Sequence, residues 1–78
     1  MKLQINFCYR WNYGKEAARV VEEIFVNKDI RDDILELTLK EAPLGHFFIK
    51  KNDKVIFHNK EVQRMLNKNE IIELITED

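Results

Sequence analysis

Apolar and polar residues alternate at the start of the chain. Leu3, Ile5 and Phe7 fall on one face and Lys2, Gln4 and Asn6 on the other, the period of two of a β-strand. From Lys15 the period changes. Ala17, Val20, Val21, Ile24 and Phe25 recur at three and four residues, the apolar stripe of a helix lying on a core. Asn12 is placed to cap that helix through its side-chain oxygen, and Gly14 allows the chain to turn there. Arg19 and Glu23 are spaced as an i,i+4 ion pair on the polar side. The polar run from Asn27 to Asp32 ends the helix.

A second strand is predicted over Ile34 to Leu39, with Leu35, Leu37 and Leu39 alternating against Glu36 and Thr38. Lys40 to Gly45 reads as a loop and holds the single proline, Pro43, expected as an ordinary trans turn residue. His46 to Lys50 and Val55 to His58 form an antiparallel hairpin around Lys51-Asn52-Asp53-Lys54, whose Asn and Asp tolerate positive φ. Val62 to Leu66 fits either a helical turn or an irregular connection. A last helix runs from near Asn67 or Asn69 through Ile75, with Ile71, Ile72 and Ile75 as its stripe. The order is β-α-β-β-β-α. Right-handed crossover of the first helix puts it on one face of a four-stranded mixed sheet. The tail helix, with little chain before it, belongs on the same face, leaving the other face open.

A symmetric hairpin turn sets Phe47, Ile49 and Ile56 on one side and Phe48, Val55 and Phe57 on the other. The second set is then either an exposed patch for a partner or a second copy, or is covered by the loop before the hairpin. In that register His46 and His58 point to opposite faces and share no metal, so no metal site is expected.

The chain has 78 residues, 45% apolar and 35% charged, which bounds it to one small domain over residues 1–78. Thirteen basic and 14 acidic residues, for a net charge of −1, argue against a dedicated nucleic-acid binder. No apolar stretch suits a membrane span and Met1 to Phe7 lacks a signal-peptide core. A single cysteine excludes an internal disulfide framework and favours a reducing, cytoplasmic location. The basic excess between residues 40 and 68 reads as a solvated hairpin.

Chemistry centres on Cys8, at the junction of the first strand and first helix. Unpaired N–H groups at a helix start favour a thiolate, and Arg10 adds a positive charge. Two readings stand there: an accessible, acidified thiol, or a buried cysteine acting as a small hydrophobe. His46, beside the Pro43 loop, is either a base for that thiol or a plain loop residue.

The run Cys8-Tyr9-Arg10-Trp11-Asn12-Tyr13 between strand and amphipathic helix resembles the selenoprotein W-related, or Rdx, proteins. So do Gly45-His46-Phe47-Phe48-Ile49, Lys54-Val55-Ile56-Phe57-His58-Asn59-Lys60 and Arg64-Met65-Leu66, in that order along the chain. The resemblance implies a thioredoxin-like fold, with the first strand beside the second and third. It also implies a Cys-x-x-Cys or Cys-x-x-selenocysteine site, in which Cys8 matches the first position and Trp11 stands at the second. An indole cannot resolve a mixed disulfide, so an internal dithiol cycle is excluded. The resemblance leaves a monothiol redox role for Cys8, with glutathione or a protein thiol as co-substrate and no bound cofactor. Trp11 and Tyr13 would then form a contact surface, and Arg10 would pair with a carboxylate. The competing expectation is a non-catalytic interaction module or homodimer. It would use the Phe48, Val55, Phe57 face or the Trp11–Tyr13 loop.

Overall fold

The computed structural model describes residues 1–77. Its elements are β1 (Lys2–Phe7), α1 (Tyr13–Val26), α2 (Lys28–Arg31), β2 (Glu36–Glu41), β3 (Phe47–Lys51), β4 (Lys54–His58), α3 (Asn59–Val62) and α4 (Glu70–Glu77). The sheet order is β2-β1-β3-β4. β1 runs parallel to β2 and antiparallel to β3, and β3 pairs antiparallel with β4. This is a mixed α/β sheet of thioredoxin-like type, with α1 and α4 packed on one face.

The alternation in β1 delivers what it predicts. Leu3 and Ile5 are buried with Phe47 and Ile49 of β3 beneath Ala17, Val20 and Ile24 of α1 and Ile71 and Ile75 of α4. Burying such side chains contributes roughly 1.5–3 kcal/mol each, so this layer holds the helices on the sheet.

β2 lies two residues later than its apolar pattern predicts. Its bounds follow β1, because the parallel register runs from Lys2↔Glu36 to Phe7↔Glu41. Ladder pairing therefore recruits the polar Lys40 and Glu41, and Leu35 falls outside the strand, largely exposed. Leu37 packs against the core, whereas Leu39 is half exposed on this edge strand.

The run after α1 is not simply a loop. Asn27 Oδ1 accepts from Ile30 N at 3.1 Å and Ile30 is buried, which makes a single helical turn, α2. Asn12 does sit at the N-cap of α1, but its side chain makes no capping bond. The stretch Val62 to Leu66 resolves into an irregular connection: a short helix α3 precedes it and takes in only Val62, and Gln63 in the left-handed conformation ends that helix. Arg19 bonds Glu16 and Glu23, and also the carbonyl of Leu66 at 2.7 Å, fastening α1 to the segment that leads into α4.

The hairpin holds the main correction. Asn52 and Asp53 have φ of 49° and 70°, as the predicted turn requires. Lys51↔Lys54 and Lys50↔Val55 pair symmetrically, but the next pairs are Ile49↔Phe57 and Phe48↔His58. Ile56 is the extra residue of a β-bulge. A one-residue slip moves every later side chain to the other face. Phe57, expected on the open face, is therefore in the core at 4% exposure, in edge-on contact with Phe47. Val55 is exposed. Phe48 is half-buried, flanked by the His58 ring at 5.3 Å and the Lys50 ammonium at 5.9 Å. The three-residue apolar patch is not formed.

Candidate functional site

Cys8 follows β1 directly and extends its register by one step. Its N–H donates to the carbonyl of His46 at 3.0 Å. The segment leaving β2 is tied back in the same way, with Ala42 N–H donating to Phe7 O and His46 N–H to Pro43 O, each at 3.0 Å. Two loops thus close around one sulfur. An open depression of about 510 Å³ lies there, lined by Cys8, Arg10, Glu41, Ala42, Pro43 and Leu44. Of the two readings of Cys8, the accessible thiol is corrected to a covered one. Cys8 is 2% exposed, because the loop after β2 folds over it, and it forms part of the floor of the depression.

Backbone amides set the electrostatics. Hydrogen bonding from the Gly45 amide is the largest influence and lowers the thiol pKa; burial opposes it. The amides of Trp11 and Arg10 also lower it, and the Glu41 carboxylate raises it slightly, for a net lowering. An N–H donor favours the charged thiolate over the neutral thiol, which accounts for the direction. Arg10 lines the depression, and no side-chain hydrogen bond or ion pair holds its guanidinium among the described residues.

Gly45 is placed by its neighbours. Its φ of +81° is left-handed, and a Cβ there would lie 3.2 Å from the Trp11 ring and from Lys60 Nζ. Trp11 itself, half exposed, packs edge-on with Tyr13, and Tyr13 packs edge-on with Phe47. Trp11 thus stands against Gly45, with Tyr13 between Trp11 and Phe47. Asn59 holds the same segment from beneath. Its Oδ1 accepts from Phe47 N at 2.9 Å and its Nδ2 donates to Gly45 O at 3.0 Å. Sequence reasoning missed Asn59, because one Asn after an apolar strand carries no periodic signal. Glu41, also missed, looked like loop polarity.

His46 and His58 do not point to opposite faces. His46 Nδ1 and His58 Nε2 lie 3.0 Å apart, brought together by the bulge that puts His58 opposite Phe48. The His46 ring is thus engaged with His58, and it is the His46 carbonyl that meets Cys8. No group of three or more His, Cys, Asp or Glu side chains is arranged to hold a metal among the described residues. Pro43 lines the depression, and the described residues contain no cis peptide bond. No helix of the structure is long and apolar enough to cross a membrane. Of the predicted site residues, Cys8, Arg10, Trp11 and Tyr13 gather at the βα junction. Phe48 and Val55 lie on the hairpin and Phe57 in the core.

The mixed four-stranded sheet with its helices on one face places the chain in the thioredoxin-like class of folds, with Cys8 at the first βα junction. The Rdx family model matches residues 2–77, and the chain belongs to the Rdx family, a redox-related assignment. Its fold is similar to that of a selenoprotein W-related protein from Vibrio cholerae. That match has a TM-score of 0.85 at 17% identity, covering 97% of this chain and 92% of that one. A protein from Bordetella parapertussis is similar to the same degree, with a TM-score of 0.85 at 16% identity, covering 97% and 94%. Among curated proteins none matches by sequence.

Proposed function

We propose that the protein is a monothiol redox carrier in which Cys8 forms mixed disulfides that an external thiol, such as glutathione, resolves. What supports this reading is the place of the chain's single cysteine, on the floor of a depression that Arg10 and Glu41 also line, together with the lowered pKa that the backbone of Gly45, Trp11 and Arg10 gives its thiol. The Cys8 thiolate attacks one sulfur of a disulfide, forming a new S–S bond and releasing the other sulfur as a thiolate. A second thiolate then attacks the mixed disulfide and restores Cys8. With Trp11 where a second thiol would stand, nothing in the chain performs that second step internally.

The lining of the depression suits such a substrate. Arg10 offers a cation for a carboxylate and Glu41 an anion for an ammonium, the two kinds of charged end that glutathione carries. Tyr9, Trp11 and Leu44 are exposed, large and apolar, and supply a contact surface for a disulfide presented on a protein. A cytoplasmic setting, where glutathione is abundant, fits this chemistry.

The test is exposure of the native protein to oxidised glutathione, followed by intact mass. The reading predicts one glutathionyl adduct on Cys8, discharged by reduced glutathione and formed more slowly in Arg10→Ala. A native chain that stays unmodified while its unfolded form reacts would contradict it.

A further inference from the structure

The sulfur chemistry depends on how the Gly45–Phe47 segment is held against Cys8, and that segment has few anchors of its own. Gly45 has a left-handed φ, His46 spends its carbonyl on Cys8 N–H, and Phe47 begins β3. The chain leaving β4 meets it at several atoms. Asn59 is 8% exposed and bonds both Phe47 N and Gly45 O, with Nδ2 also 3.4 Å from Tyr13 Oη. The preceding residue, His58, holds the His46 ring through the 3.0 Å contact. Backbone on each side of His46 is thus fixed by one amide side chain, and the His46 ring by the imidazole before it.

We propose that Asn59 is a positioning residue for Cys8, clamping Gly45 and Phe47 so that the His46 carbonyl between them stays on the Cys8 N–H. The inference rests on the monothiol reading for its purpose but not for its geometry. An amide is suited to the task. It accepts at one end and donates at the other, and both bonds here go to backbone groups that would otherwise be buried without partners. Leaving such groups unsatisfied is costly enough to let the segment move. Tyr13 Oη joins the start of α1 to the same side chain, so loosening Asn59 also loosens Tyr13 and the Trp11 ring packed on it.

The experiment compares wild type, Asn59→Ala, Asn59→Ser and a remote core control, Ile30→Val, in their native states. One readout is hydrogen exchange at the Cys8 and Phe47 amides; the second is the pH midpoint of Cys8 thiolate absorbance. Removal of the clamp should speed exchange at both amides about tenfold or more, beyond any global change, and raise the thiol midpoint. Ile30→Val should do neither. Asn59→Ser keeps a hydroxyl and serves if the alanine variant does not fold. Folded variants with Cys8 exchange and thiol midpoint unchanged overturn the inference. A wild-type midpoint no lower than that of the unfolded chain refutes the monothiol reading alone, because the exchange readout still decides the clamp.

Discussion

Replacing Gly45 by alanine should destabilise the protein, whereas the same change at Gly14 should stabilise it. At Gly45 the backbone φ is +81°, and an L-residue held in that region costs about 1–2 kcal/mol. The new methyl would also sit 3.2 Å from Trp11 and from Lys60 Nζ. Those are the far ends of exposed side chains and yield cheaply, so backbone strain sets the size of the loss. A methyl added at Gly14, in the first turn of α1, would meet nothing within 4 Å. There alanine reduces the freedom of the unfolded chain and should add about 0.4–1 kcal/mol. Each kcal/mol moves the melting temperature of a domain this size by roughly 4–8 °C, so the two variants should be separated by roughly 6–24 °C. Urea unfolding followed by circular dichroism measures both. The fluorescence of Trp11, the single tryptophan, reports on Gly45 directly, because its ring packs there. A Gly45→Ala protein as stable as wild type with unchanged emission would refute the reasoning, as would equal shifts in both variants.

Further predictions concern the bulge, an acidic residue and the thiol. Phe57→Ala should cost about 3–5 kcal/mol as a core truncation, while Val55→Ala, at 44% exposure, should stay within about 0.5 kcal/mol in denaturant melts. Small losses at both positions would restore the symmetric register, which sets the two side chains on the same open face. Bonds from Arg64 and the Asn67 amide hold the Glu70 carboxyl below its ordinary value. Its contribution to stability is present above the carboxylate's unfolded pKa of about 4.3 and is lost as pH falls through the lower folded value. Glu70→Gln should therefore unfold more easily at neutral pH and lose part of the acid dependence in melts across pH 2–7. The lowered Cys8 pKa has the same sign. Stability should rise with pH between the folded value and the unfolded one near ~8.5, and Cys8→Ser should flatten that rise in melts across the interval.

Local periodicity made β1, α1 and α4 legible, because each has one buried face and a regular repeat. The type of turn at Asn52-Asp53 was equally legible from side chains that accept positive φ. The bulge at Ile56 was not, since Val55, Ile56 and Phe57 are all apolar and alternation cannot say which is the extra residue. That one ambiguity misplaced Phe57 and separated two histidines that touch. The bounds of β2 were hidden for a related reason: parallel pairing with β1, and not its own leucines, decides where it starts. At the site, Cys8 and its loop could be found because a strand end, a thiol and a helix start are contiguous in sequence. Gly45, Glu41 and Asn59 lie 33 or more residues away, and the sheet brings Gly45 and Glu41 to the thiol and Asn59 to Gly45. The cover over the sulfur was unreadable too, because it comes from the return of the β2 loop onto Phe7.

The pH dependence of Cys8 alkylation by a small reagent, in native protein and in the same protein unfolded by urea, tests the account most directly. The native midpoint should fall below the unfolded one, even though cover slows the native reaction at every pH. A native midpoint at or above the unfolded value would mean that the surrounding amides do not stabilise a thiolate, and would contradict the account.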